Sequence, residues 1–285
     1  MTTTAGPPGL VRLREVPDLT VAARELLARA ARFDAEMGFG PPPPDLRRPV
    51  DTVIEIDTCL HRHDVAHDDH YVPAGVVCIR DLGGGTGSVE LVVDPLRRAI
   101  GVATSVLEVL GTEPDPVWGW AGTGLHVLHA VALGNHPAAE RLARRSGVAT
   151  DAVRHHLVLP VDEPAPDDPQ LTRDRPDGTV AGTDDDREVV LRDVTGGSAR
   201  LRRPGPDGAL AGISEIATAP GTPEHARCAA LVTLVGAAVV RLRAEGAGAV
   251  EAVADAGDGA LLLALRRLRF EHDRTDLVFR IGPAR

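Results

Sequence analysis

Apolar positions along this chain follow two rhythms, one helical and one alternating, separated by proline- and glycine-rich breaks. After a Pro/Gly leader, DLTVAARELLARAARFDAEMGFG has helical spacing with Asp18 as candidate cap, and predicts one or two helices over Leu19 to Met37. PPPPDLRRP ends them. VDTVIEIDTCL and YVPAGVVCIRD, rich in β-branched residues, predict two strands joined by the polar HRHDVAHDDH; GGGTG is a turn and SVELVVD a third strand. Gly101 to Leu110 is helical in pattern, TEPDPVWGWAGTG irregular, and LHVLHAVAL a strand. Pro137 to Ser146 then predicts a helix capped by Asn135 with proline just inside, and AVRHHLVLPV a closing strand. The first half is α+β, in the order α-α-β-β-β-α-β-α-β.

The tract from Asp162 to Asp186 is acidic, proline-rich and poor in apolar residues, which marks a linker. Beyond it the pattern returns in shortened form. REVVLRDV and SARLRRP predict a hairpin, GISEIATAP a strand, Cys228 to Arg243 a helix, AVEAVADAG a strand, Gly259 to Leu268 a helix and TDLVFRI a last strand. The halves read as a degenerate repeat: Glu90 stands five before Pro95 as Glu215 stands five before Pro220, and Gly134-Asn135 matches Gly257-Asp258. The expected domains are 1–161 and 187–285, with 162–186 between them.

Composition narrows the function classes. With 285 residues and a net charge of −10, a general nucleic-acid binder is excluded, since phosphate binding needs a basic surface. No apolar run suggests a membrane span, and MTTTAGPPGLVRLREV lacks the marks of a secretory signal, so a cytoplasmic protein is expected. Cys59, Cys78 and Cys228 form no CxxC pair and suit a reducing compartment. All 31 basic residues are arginines, a bias of high-GC, actinobacterial type that removes any lysine nucleophile or Schiff base.

The chemistry concentrates after SVELVVDP. Arg98-Ala99-Ile100-Gly101-Val102-Ala103 fits [QR]xxGx[GA] between a strand and a helix, where unpaired N–H groups and the positive end of the helix dipole suit a pyrophosphate. With NHPAAERLARRSGV downstream, this context resembles the GNAT (GCN5-related N-acetyltransferase) family. Asn135, Ala138, Leu142, Gly147 and Val148 fill the places of that family's later motif, with one extra residue and valine for phenylalanine. The resemblance is good over residues 10 to 160 and weak over 184 to 283. Two such units, with VELVVDP and VRHHLVLPV, are most similar to the mycothiol synthase branch.

The resemblance implies two GNAT-like domains, each a mixed, mostly antiparallel sheet flanked by helices in a three-layer-like arrangement. It implies acetyl-CoA or another acyl-CoA as co-substrate, bound by Val92, Val93, Arg97, Arg98, Ala99, Ile100, Gly101, Val102, Ala103, Asn135 and Ala138. A small-molecule primary amine is the implied acceptor, with a monomer or homodimer as the assembly. In mycothiol synthases the second half is the catalytic one. Here the matching APGTPEHARCAAL lacks the arginine and the glycines, so the second half reads as a degenerate copy.

Glu90 interrupts an apolar strand beside the cofactor turn, where burial would raise its pKa; it reads as the general base or, alternatively, as a structural carboxylate. Glu215 reads as structural. The family's tyrosine acid is replaced by Leu142 and Ala143, and the only tyrosine is Tyr71, which leaves a non-catalytic acyl-CoA-binding or scaffold protein as the rival reading. His61, His63, His67 and His70, with Asp64, Asp68 and Asp69, have zinc- or nickel-type donors but sit in a hairpin connection where polar residues belong, and no metal is expected. His126 and His129, three apart on a predicted strand, face opposite sides. Trp118 and Trp120 are assigned to packing, and Cys59 and Cys78 to buried, inert positions.

Overall fold

A computed structural model describes residues 10–39, 52–59, 71–163, 181–182, 188–192, 196–205 and 210–283. Most of the expected linker and the whole His61–His70 segment lie outside these residues. The chain forms two compact units, 1–152 with 276–285, and 153–275. These limits cross the ones expected from sequence. Residues 153–161 belong with the second unit and the last strand of the chain belongs with the first.

In the first unit the strands run β1 (Val11–Val16), β2 (Thr52–Cys59), β3 (Tyr71–Gly83), β4 (Thr86–Val93), β5 (Val127–Ala132) and then β12 (Glu271–Ile281), through its residues Leu277–Ile281. Every pairing is antiparallel except β4 with β5. β1 lies ahead of the first expected element, in the stretch read as a Pro/Gly leader: VRLREV pairs along its whole length with β2. Of the one or two helices expected, one forms, α1 (Val21–Glu36), and its cap is Thr20, whose hydroxyl accepts from the Ala23 N–H, not Asp18.

Helix α1 buries Ala23, Leu26, Leu27 and Ala30, a stripe at helical spacing, and Leu19, Ala23 and Leu27 pack on Val53, Val76 and Cys78 of one sheet face. Ile54, Ile56, Val77, Ile79 and Val89 point to the other face, under α2 (Val102–Leu110). Also there, α3 (Pro137–Arg145) packs Ala143 on Ala132 and Phe279. Trp120 fills this core, its indole N–H donating to the Gly111 carbonyl at 2.9 Å, whereas Trp118 is exposed. Cys59 and Cys78 are buried, as expected.

The second unit orders its strands β6 (Ala149–Leu159, through Arg154–Leu159), β11 (Ala249–Asp255), β10 (Leu210–Ala217), β9 (Ser198–Arg202), β8 (Glu188–Arg192) and the two-residue β7 (Ala181–Gly182). The expected hairpin is β8 with β9. Its core lies under α4 (Glu224–Ala244) and α5 (Gly259–Arg267). Helix α4 is long and apolar enough by composition to cross a membrane, yet here Leu231, Leu234, Val235, Ala238, Val239 and Leu242 form the interior of this unit. The expected α+β class, with mixed and mostly antiparallel sheets flanked by helices, is the observed one.

Candidate functional site

Strand β4 lies against β3 from end to end, but against β5 only from Thr86 to Val89, facing Val127 to Ala130. Along its other edge β5 pairs with β12 over Leu128–Ala132. The sheet therefore forks at Glu90, the first residue of β4 beyond the parallel pairing. Such a fork leaves part of the β4 backbone without a strand partner, which suits an extended ligand.

The strand is stopped by Asp94. Its carboxylate accepts from the Leu96 N–H at 3.0 Å and is held by Arg29 of α1, which keeps its pKa below the ordinary carboxylate value against the effect of burial. Four residues on, the Arg98 guanidinium bonds both oxygens of Asp34, also on α1, and donates through Nε to the Val93 carbonyl at 3.1 Å. The turn is thus tied twice to one helix. Arg98, expected to face a phosphate, has its side chain engaged by Asp34, while Arg97 forms no ion pair among the described residues.

Between Arg98 and α2 the backbone turns left-handed at Ala99 (φ 66°) and again at Gly101 (φ 96°). A methyl group at Gly101 would meet only Leu10, at 3.6 Å, so the positive φ rather than lack of space selects glycine. Gly101 caps α2 without a side-chain bond, and no acidic residue stands in the first turn. The first amide to find an acceptor is Ser105, on the Gly101 carbonyl; among the described residues none accepts from the amides of 99–104. A row of unpartnered donors at a helix N-terminus is an anion site in its chemistry.

Glu90 projects from the α1 face of the sheet, opposite Cys78. It is half-buried, Oε2 has no hydrogen-bond partner, and burial pushes its pKa up, with Arg80 drawing it back. Cys78 is pushed up to about 11 by burial and then by the Glu90 charge, which makes it a poor nucleophile. His129 shares a row with Ser88 on this face and places Nδ1 3.7 Å from Asp151. Only His129 of the expected histidine pair is on β5, because the strand begins at Val127.

Other expected residues lie elsewhere. Tyr71 starts β3 under the Arg12 guanidinium, seven residues and so about 23 Å along the strand from Cys78. Asn135 is exposed and left-handed (φ 53°) and does not cap α3. The cap is His136, whose Nδ1 accepts from the Ala138 N–H at 3.1 Å; burial, then Arg98, holds its pKa down and keeps that nitrogen an acceptor. Ala138 is exposed beside it. Among the described residues no three His, Cys, Asp or Glu gather as a metal site.

Sequence reasoning missed Asp34, Arg80 and His136. Arg80 had a signal: it breaks the apolar run VVCIRD two residues after Cys78, as Glu90 breaks SVELVVD. Asp34 and His136 act through contacts that spacing does not encode.

The second unit repeats the frame. β10 runs parallel to β11 over Leu210–Ile213 against Ala249–Ala252, four residues as in β4 and β5, and then bulges between Ser214 and Ala217. Glu215 sits in that bulge at φ 49°, its side chain exposed and paired with Arg200 at 2.8 Å. On this sheet's face opposite α4, Glu251 is buried and bonded by His156 at 3.0 Å and Arg274 at 2.8 Å, and its pKa is lowered despite burial.

No known protein-family profile matches the sequence, and no curated protein matches it. Solved structures do. A GCN5-related N-acetyltransferase from Sphaerobacter thermophilus superposes with a TM-score of 0.56 at 14% identity, covering 96% of this chain and 97% of the other. A tandem GNAT protein from the clavulanic acid biosynthesis pathway, without AcCoA, gives 0.58 at 16% identity, covering 96% and 100%. The chain has the tandem GNAT fold.

Proposed function

We propose that the first unit is an acyl-CoA-dependent N-acyltransferase site, with acetyl-CoA or a related thioester as co-substrate and a small-molecule primary amine as acceptor. One observation carries this reading: the unpartnered amides of 99–104 lie just beyond the fork at which an unpaired Glu90 stands. The amides of the turn, with Arg97, hold the pyrophosphate, and the β4 edge at Val92 and Val93 receives the pantetheine arm. Asn135 and Ala138, at the head of α3, flank it.

The bound acceptor ammonium gives one proton to solvent before attack. Its nitrogen then attacks the thioester carbonyl, the C–N bond forms and the C–S bond breaks. Glu90 takes the second proton, and CoA leaves as a thiolate that is protonated from solvent. A carboxylate of raised pKa is a better base near neutrality. A thiol pKa near 8.5 leaves little need for a dedicated acid, so the position of Tyr71 is not an obstacle to transfer.

The mycothiol-synthase-like acceptor suggested by the sequence is one member of the amine class and belongs in the screen. A reaction that consumes acetyl-CoA fits a cytoplasmic setting. The position of Tyr71, far from the fork, also favours a second reading, a non-catalytic acyl-CoA binder. Calorimetric titration of acetyl-CoA followed by thiol-release assays with an amine panel separates the two. Binding with release supports the transferase, binding with no release for any amine supports the binder, and no binding overturns both.

A further inference from the structure

Among the described residues of the first unit, two side-chain atoms are buried without a hydrogen-bond partner, Glu90 Oε2 and Arg80 Nε. Register places Arg80 opposite Ser88 and Cys78 opposite Glu90, so the two charged groups stand on one sheet face as diagonal neighbours of adjacent strands. Diagonal neighbours are about 7–8 Å apart, within reach of a long side chain. Yet no ion pair joins them.

Their neighbours behave otherwise. Among the described residues, the fully buried carboxylates of this unit have partners: Glu55 accepts from Arg14 and from the Thr20 N–H, Asp94 from Arg29, and Asp276 from the Gly134 N–H. Leaving a buried polar group unpaired destabilises the fold. Two such groups, opposite in charge and diagonal on one sheet face, suit one molecule that brings a cationic donor to Glu90 and an anionic acceptor to Arg80.

We propose that the acceptor is a zwitterion, an amino acid or close analogue, with its amine on Glu90 and its carboxylate on Arg80. The identity of Glu90 as the base rests on the acyl-transfer reading; the pairing of charges does not. Arg80 is then a specificity residue: a guanidinium fork matches a carboxylate with two parallel bonds, which an amide or a plain amine cannot accept equally. Ser88 and His129, in the same row as Arg80, border the carboxylate end.

The test is calorimetric titration of the full chain, with and without acetyl-CoA. The probes are glycine, β-alanine, 4-aminobutyrate and α-amino acids with apolar, polar and acidic side chains, each beside its primary amide and its decarboxylated amine. At least one free acid is expected to bind tenfold or more tightly than its own amide. Arg80→Met should bring that ratio to within twofold while leaving amide affinity unchanged, and Arg80→Lys should restore part of it; circular dichroism verifies folding. The proposal is overturned if amides or amines bind as well as every acid, if no amino acid binds, or if the preference survives Arg80→Met. A chain that binds the amino acid but not acetyl-CoA keeps this inference and loses the acyltransferase reading. One that binds acetyl-CoA and simple amines but not acids does the reverse.

Discussion

The turn after β4 and the turn after β10 begin from the same four-residue parallel pairing and end as different objects. In the first unit, strand passes to helix with Asp94 and Arg98 anchored to α1 and nothing acidic at the helix start. In the second, β10 has bulged, Glu215 is turned out to Arg200, and α4 opens on Pro223 and Glu224. The Thr222 hydroxyl and amide both bond the Ala219 carbonyl. Proline removes one donor, and a carboxylate already occupies the positive end of the helix dipole. An anion site depends on what the helix start leaves unpaired more than on the strand frame beneath it.

The sharpest way to break this comparison is Gly101→Glu, which sets a charged side chain at a left-handed position in the amide row. Acetyl-CoA binding should fall below calorimetric detection, whereas Gly221→Glu, in the second turn, should leave affinity within twofold. If both changes abolish binding, the asymmetry between the turns is an illusion.

Next in size is the carboxylate pair. Glu90→Gln should lower kcat by about 10²–10⁴-fold, the range general-base removal commands, and Glu215→Gln should leave it unchanged in the same thiol-release assay. The wild-type rate should also rise with pH through a value above the ordinary glutamate range, because the base must be ionised and burial raises its pKa. That limb should vanish in Glu90→Gln.

The anchoring contacts differ less. Arg29→Ala strands the buried Asp94 and should cost about 1–3 kcal/mol in denaturant unfolding. Arg227→Ala, which removes the ion pair to the less buried Asp258, should cost under about 1 kcal/mol.

Smallest is a thermal effect of Glu90→Gln. The folded state raises this carboxyl's pKa, so between the unfolded and folded values the native form binds more protons and stability falls as pH rises. The variant should therefore melt higher than wild type at pH 7. The gain should disappear below the unfolded glutamate pKa of about 4.3.

Much of this was legible in the sequence where one rule governed. Alternation located β2 to β5 and β8 to β12, helical spacing located α2 to α5, and a charged residue in an apolar strand singled out Glu90. β1 was missed because six residues behind a proline-rich stretch look like a leader until β2 pairs with them. The cap of α3 moved one place because Asn135 takes the left-handed turn and hands capping to His136. Strand partners were illegible for a different reason: a strand's own residues say which face is apolar but not which edge it will join, so nothing in AVRHHLVLPV or TDLVFRI announced that they belong to opposite units.

That last arrangement bears on how the protein is made. During synthesis the first half emerges with β5 as an exposed sheet edge, and the strand that covers it, Leu277–Ile281, is translated only after the whole second half. Asp276, which bonds the Gly134 amide, and Phe279, which packs on Ala132 and Ala143, arrive equally late. An uncovered edge invites pairing with other chains. A ribosome stalled within the second half would therefore carry the 98–103 turn on an unfinished sheet, open to aggregation until the final strand docks.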